Sequence, residues 1–266
     1  MTLTPISPTT EIEYPDSDGT PMAESDPTRK GLTYAVEALE LHFAEHPAVY
    51  VSGNSFVYYQ QGVKDAVVSP DVYVVLGAEN RQRRSYKVWE ENGLTPDFII
   101  EITSASTRHT DSVEKRRIYA DLGVTEYFQY DPTGDYLEPP LIGLRLTARE
   151  YEPMPAGGNG SGAIAIHSEV LNLELRLDAG QLRFYKPDTG QKLPSYSEAV
   201  ESLTEAEASR REEQARRERA EVERQQAIEN LYNGAERLLA TGMSVEQVAT
   251  LLDLDADDLQ RRFGTE

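Results

Sequence analysis

The sequence predicts a mixed α/β domain: a mixed β-sheet flanked by helices, extended by antiparallel β hairpins and followed by an α-helical C-terminal extension. Three observations carry that expectation. An amphipathic helical run opens the first apolar region. Short β-type runs then alternate with a second helix. Beyond residue 195 the composition changes to Ala, Glu, Arg and Gln.

The first 28 residues mix Thr, Ser, Pro, Asp and Glu and carry six acids and no bases, so they are expected to form a disordered acidic arm. From Thr28, a candidate cap, Leu32, Val36, Leu39 and Phe43 recur at helical spacing until His46-Pro47 stops the run. Val49 to Val51, Ser55 to Gln60 and Val72 to Leu76 read as strands, with Ser52-Gly53-Asn54 as a turn between the first two. Phe98 to Thr103 reads as a further strand. Asp111 to Leu122 reads as a helix closed by Gly123, and Glu126 to Tyr130 as a strand closed by Asp131-Pro132. Leu141 to Leu146, Ile164 to Ile166, Leu171 to Leu177 and Gln181 to Tyr185 complete a domain expected over 29–195.

Residues 196–227 carry acid-to-Arg pairs at i,i+4 and read as a solvated spacer helix, because a coiled-coil seam would place Arg210, Arg217 and Arg224 where apolar knobs belong. Residues 228–266 become amphipathic again, with Gly242 as a stop, Ser244 and Gln247 as a capping box, and Asp255 as a cap for a last helix. This three-helix tail resembles a helix-turn-helix in outline. Asp255, Asp257 and Asp258 would face phosphates in a DNA reader, so an interaction or assembly role is preferred, with a homodimer as the expected state.

Composition excludes several chemistries. The 266 residues contain no Cys, which rules out disulfides, thiolate zinc sites and a cysteine nucleophile. There is no apolar run long enough for a membrane span and no signal-peptide pattern, so a soluble, cytoplasmic protein without membrane contact is expected. The formal charge of −20 is concentrated at the two ends, so a polyanion would have to meet a local basic patch. Arg81, Arg83, Arg84 and Lys87 form the candidate for phosphate contacts, against the alternative of a solvated loop.

Two acids stand out. In Phe98 to Thr103 the apolar Phe98, Ile100 and Ile102 take one face, so Ile99, Glu101 and Thr103 share the other, and a carboxylate there is costly unless paired, metal-bound or at a rim. Asp71 follows Pro70 at the start of Val72 to Leu76, a position that ordinary turn chemistry also explains. Asp97, likewise after Pro, reads as a turn residue. Lys115 follows Glu101 by fourteen residues on the next helix, close enough in sequence for its amine to fold back to the strand end. A helix lysine is ordinarily a solvated charge. Two carboxylates on adjacent strands with a lysine beside them would form a hard-cation site suited to phosphodiester cleavage.

Pro70-Asp71-Val-Tyr-Val-Val, Pro96-Asp97-Phe-Ile-Ile-Glu101-Ile-Thr-Ser104-Ala-Ser106-Thr107, Asp111-Ser-Val-Glu-Lys115-Arg-Arg-Ile-Tyr119-Ala-Asp-Leu-Gly123-Val-Thr-Glu126-Tyr127-Phe and Asp131-Pro132 together resemble the Uma-two family, assigned to restriction endonucleases of the PD-(D/E)XK nuclease superfamily. The resemblance covers roughly residues 29–195. It implies a restriction-endonuclease-like core, hydrolysis of DNA dependent on Mg2+ or Mn2+, metal ligation by Asp71 and Glu101, and Lys115 as the catalytic lysine. Thr103 stands where the superfamily motif has its lysine, and the resemblance implies that this role has moved to the following helix. A Glu from the first helix often joins such sites, which makes Glu37 or Glu40 a possible additional acid. The rival expectation is a catalytically silent nuclease fold that serves as a binding or scaffold module and assembles through its helical tail.

Overall fold

The computed structural model describes residues 12–17, 25–103, 114–157 and 164–263. The chain divides into two compact units, 1–198 and 199–266.

The first unit begins with α1 (Asp26–His42), capped by Ser25, whose hydroxyl accepts from Thr28 N. The cap therefore lies three residues before the expected Thr28, which is instead buried inside the first turn. Strands β1 (Val49–Ser52), β2 (Val57–Tyr58), β3 (Val67–Val68), β4 (Val72–Leu76), β5 (Tyr86–Lys87) and β6 (Phe98–Ile102) follow. After them come α2 (Arg116–Leu122), β7 (Glu126–Tyr130), β8 (Leu141–Thr147) and β9 (Glu150–Pro153). The main sheet has the order β1-β4-β6-β7-β8-β9. Its central β6–β7 pair is parallel and its other pairs are antiparallel. The parallel pair requires a crossover, and α2 lies in it.

Alternation along the strands sorts the two faces. Val72, Val74, Phe98, Ile100, Ile102, Phe128 and Tyr130 face one core with α1, which contributes Tyr34, Ala35, Ala38 and Leu39. The same core receives a second sheet, β10 (Ala156–Gly157), β11 (Ala165–Ser168), β12 (Leu173–Asp178) and β13 (Gln181–Tyr185). Tyr73, Val75, Ile99 and Tyr127 face the opposite core with Tyr119 of α2. A small sheet of order β3-β2-β5 adds Val57, Val68 and Tyr86 there. The buried pattern of β6 and β7, closed on both faces, is what a central parallel pair requires.

The expectation of a disordered arm falls mainly on residues outside those described, but 12–17 do pack on the domain. The Tyr14 ring lies 5.1 Å from that of Tyr58 and 5.0 Å from that of Trp89, and the Tyr58 hydroxyl donates to Pro15 O at 2.6 Å. One aromatic anchor outweighs a polar composition over a short stretch.

In the tail, α3 (Tyr196–Ala240) runs unbroken for 45 residues, so the expected boundary between spacer and bundle at 227/228 is absent. Nothing between Gln226 and Ile228 breaks a helix, and the first breaker, Gly242 at φ +92°, comes just after its end. Helices α4 (Val245–Leu252) and α5 (Ala256–Phe263) start at the predicted caps. Ser244 and Gln247 form the reciprocal capping box, and Asp255 accepts from Asp258 N. Ala235, Val248, Ala249 and Leu259 form their core. No helix among the described residues is long and apolar enough to cross a membrane.

Candidate active site

Asp71 is set by its backbone. The turn Ser52-Gly53-Asn54 folds onto it: Asn54 N donates to Pro70 O at 3.0 Å and to Asp71 O at 3.2 Å. A Cβ on Gly53 would stand 2.3 Å from Asp71 O, so only glycine permits this approach. The ladder that pairs Val72 with Ile100 and Tyr73 with Ile99, continued by one residue, brings Asp71 opposite Glu101. The Asp71 carboxylate in turn accepts from Ile102 N at 2.6 Å, which ties it to the end of β6.

Glu101 is fully buried on the face of Ile99. Its Oε2 receives the Lys115 ammonium at 2.8 Å, and its Oε1 accepts from the Tyr119 hydroxyl. Lys115 stands at the N-terminal edge of α2, four residues before Tyr119, so both side chains leave one face of the helix and reach one carboxylate. The Lys115 amine also lies 3.4 Å from Ser69 O, and its side chain is 19% exposed. Burial, followed by the Glu101 charge, pushes the Tyr119 hydroxyl well above its ordinary range, so it remains a neutral donor. Asp71, Glu101 and Lys115 thus converge at the end of the β4–β6 pair. Tyr119 is the member that residue-by-residue reading missed. Its i,i+4 spacing from Lys115 is the signal that could have found it.

Glu37 and Glu40 are exposed on α1, which packs on the opposite face of the sheet with Tyr34, Ala35, Ala38 and Leu39 inward. Among the described residues no three His, Cys, Asp or Glu side chains come together, so neither Glu37 nor Glu40 completes a three-acid cluster with Asp71 and Glu101. Asp97 serves the chain connection, its Oδ2 accepting from Leu76 N at 2.7 Å.

Each base of the run is paired with an acid, and Arg83 is buried at its side chain while Arg84 stays exposed. Arg83, 3% exposed at its side chain, makes a two-pronged contact with Glu91, with Nε to Oε1 and Nη2 to Oε2 both at 2.8 Å, and stacks 4.2 Å from the Tyr50 ring centre. Arg81 also reaches Glu91, at 2.6 Å; Arg84 pairs with Asp16 at 2.7 Å and Lys87 with Glu90 at 3.1 Å. The expectation of phosphate contacts therefore fails for Arg83, whose guanidinium is consumed in packing. The acids that neutralise the run all lie outside it, and a charge tally of the run alone cannot reveal them.

Another buried carboxylate, Glu126, starts β7 and is satisfied by Arg145 at 2.9 Å, by the Ser168 hydroxyl and by Glu169 N at 3.0 Å. It ties the main sheet to the β11–β12 connection.

The sequence model of the Uma2 family, described as "Putative restriction endonuclease", matches residues 3–180, more than half of the chain. The chain belongs to the Uma2 family. The family match begins well before residue 29, where the motif resemblance starts, and so takes in the arm that Tyr14 anchors. No curated protein matches the chain. Among solved structures, a putative nuclease belonging to DUF820 from Anabaena variabilis aligns at 14% identity with a TM-score of 0.39, over 53% of this chain and 75% of that one.

Two carboxylates beside an ammonium are a donor set of the kind a hard divalent cation takes. Mg2+ is held by one or two carboxylates and keeps waters for its remaining positions. Asp71 and Glu101 are two such carboxylates, opposite one another across the β4–β6 register.

Proposed function

We propose that this chain is a metal-dependent endonuclease that hydrolyses phosphodiester bonds of DNA at the site formed by Asp71, Glu101 and Lys115. The observation that carries the reading is the Lys115 ammonium at 2.8 Å from the buried Glu101, which the strand register brings opposite Asp71. A structural role alone would not require two carboxylates, one of them fully buried, at the end of adjacent strands. Asp71 and Glu101 would hold Mg2+ or Mn2+. The bound ion would supply Lewis-acid polarisation of the phosphate and a more acidic water.

The residues of the chain divide the remaining work. Glu101 accepts hydrogen bonds from Lys115 and Tyr119, which fixes its carboxylate and leaves it oriented to take a proton from the attacking water. The Lys115 ammonium balances negative charge that grows on the phosphate as the P–O bond to the leaving oxygen breaks. Tyr119 donates to Glu101 alone among the described residues, so it orients the carboxylate and does not touch the phosphate.

Supercoiled plasmid incubated with Mg2+ or Mn2+, wild type beside Glu101→Gln, tests the reading. Nicked or linear product from wild type and none from the variant is expected. Equal product from both would place the activity elsewhere. An inert wild type, with altered self-association on removal of 199–266, would favour the scaffold alternative.

A further inference from the structure

We propose that Gln129 and Thr103 are substrate-contacting residues of this site, whose hydrogen-bond donors take a non-bridging oxygen of the phosphodiester. The inference rests on the endonuclease reading and extends it to residues that no motif selects.

Gln129 is the cross-strand partner of Glu101 in the parallel β6–β7 register, and paired residues of parallel strands project to the same face. Thr103 follows Glu101 by two and continues the ladder, its N donating to Tyr130 O at 2.8 Å, so it too lies on the face of Glu101. Both are buried, Gln129 at 6% exposure and Thr103 at 1%. Among the described residues three buried side-chain polar atoms lack a hydrogen-bond partner, and two of them are Gln129 Nε2 and Thr103 Oγ1. The third, Arg145 Nε, belongs to a guanidinium whose other nitrogens serve Glu126 and Glu169.

Buried donors without partners are destabilising, and folded proteins retain few of them. Two beside one buried carboxylate, on one face, leave places that the acceptor oxygens of a ligand would fill. Gln129 is not satisfied by its neighbour: its Nε2 has no hydrogen-bond partner, while Glu101 accepts from Lys115 and Tyr119. An amide –NH2 and a hydroxyl both donate to oxygen. They are also neutral, which matters beside Glu101: a cation at either position would be drawn into an ion pair, as Lys115 is. Neutral donors stay available to an anionic oxygen. This gives Thr103, at the position of the superfamily lysine, a donor role of its own.

The test compares wild type with Gln129→Leu and Thr103→Val, which remove the donors while keeping volume, and with Gln129→Met as a second shape. Three readouts apply: thermal midpoint, cleavage of a DNA duplex with Mg2+ or Mn2+, and binding of the same duplex with Ca2+ followed by fluorescence anisotropy. The expected result for Gln129→Leu is an unchanged or raised midpoint, a loss of about 100-fold in kcat/KM and weaker duplex binding. Thr103→Val should move in the same direction. Cleavage and binding equal to wild type in the leucine variant would overturn the inference while leaving the endonuclease reading intact. A lowered midpoint with activity lost in proportion, in both the leucine and methionine variants, would make Gln129 a packing residue and also overturn it. A wild type inert on DNA with either metal would overturn the endonuclease reading and the inference together.

Discussion

The hydroxyl of Tyr119 donates to the carboxylate of Glu101 across the parallel crossover, joining the helix that follows β6 to the acid inside β6. Both groups are fully buried, so the bond holds a carboxylate oxygen that solvent does not reach. Tyr119→Phe should therefore cost about 1.5–3 kcal/mol, the range for a hydrogen bond to a charged group. Urea unfolding measures the loss, and an unchanged midpoint would show that the carboxylate finds another partner.

Lys115→Ala removes the other partner and should separate stability from turnover by way of the metal. Without divalent ions the variant leaves a buried carboxylate uncompensated and should lose about 3 kcal/mol. A helix lysine is ordinarily a solvated charge whose loss costs little stability; the ion pair at 2.8 Å makes Lys115 different. Saturating Mg2+ should restore much of the midpoint, because a cation again faces the carboxylate, while cleavage stays down by about 10^2- to 10^3-fold. Thermal melts with and without Mg2+ decide the matter; a Mg2+-insensitive midpoint would count against metal binding here.

Asp71 allows a cleaner division. Its carboxylate accepts from Ile102 N at 2.6 Å, and an amide oxygen can accept the same bond. Asp71→Asn should keep the fold within about 1 kcal/mol while losing metal-dependent cleavage, whereas Asp71→Ala should also lose about 1–3 kcal/mol for the orphaned N–H. Calorimetric titration with Mn2+ on both variants provides the comparison. Full Mn2+ affinity in the Asn variant would remove Asp71 from the metal site.

The basic run should divide by burial and not by charge. Arg83→Ala breaks a two-pronged contact to the buried Glu91 and should cost about 3 kcal/mol. Arg84→Ala, whose side chain is 88% exposed, should change stability by less than about 1 kcal/mol. Denaturation of the two variants side by side suffices, and equal effects would refute the distinction.

Glu198 gives a pH dependence. The Lys192 hydrogen bond, with help from Ser195 N, holds its carboxyl down to about 2 from the usual 4.5. A depressed folded-state value contributes stability above pH 4.5 that fades as pH falls towards 2. Both partners of the pair are 36% exposed, so Glu198→Gln should cost less than about 1 kcal/mol at pH 7, with the difference gone near pH 2. A constant difference across that window would assign the effect to packing.

What the sequence by itself determined is local and periodic. Alternation in Phe98 to Thr103 fixed which residues share a face with Glu101. Gly123 and Gly242 marked helix ends, and Ser244 with Gln247 marked a start, because those features depend on neighbours within a few positions. The motif string likewise isolated Asp71, Glu101 and Lys115. What only the tertiary structure decided depends on partners distant in the chain. The two-residue strands β2, β3 and β5 are too short to leave a period and exist through their pairing. Tyr14 anchors a polar arm because Tyr58 and Trp89 are there to receive it. Arg83 has its side chain covered through Tyr50 and Glu91, and Glu37 and Glu40 fall away from the carboxylate pair because α1 covers the other face of the sheet. Gln129 is an unremarkable polar residue in the sequence, and its parallel register beside Glu101, with a buried donor left unmatched, comes from the crossover that brings β7 against β6.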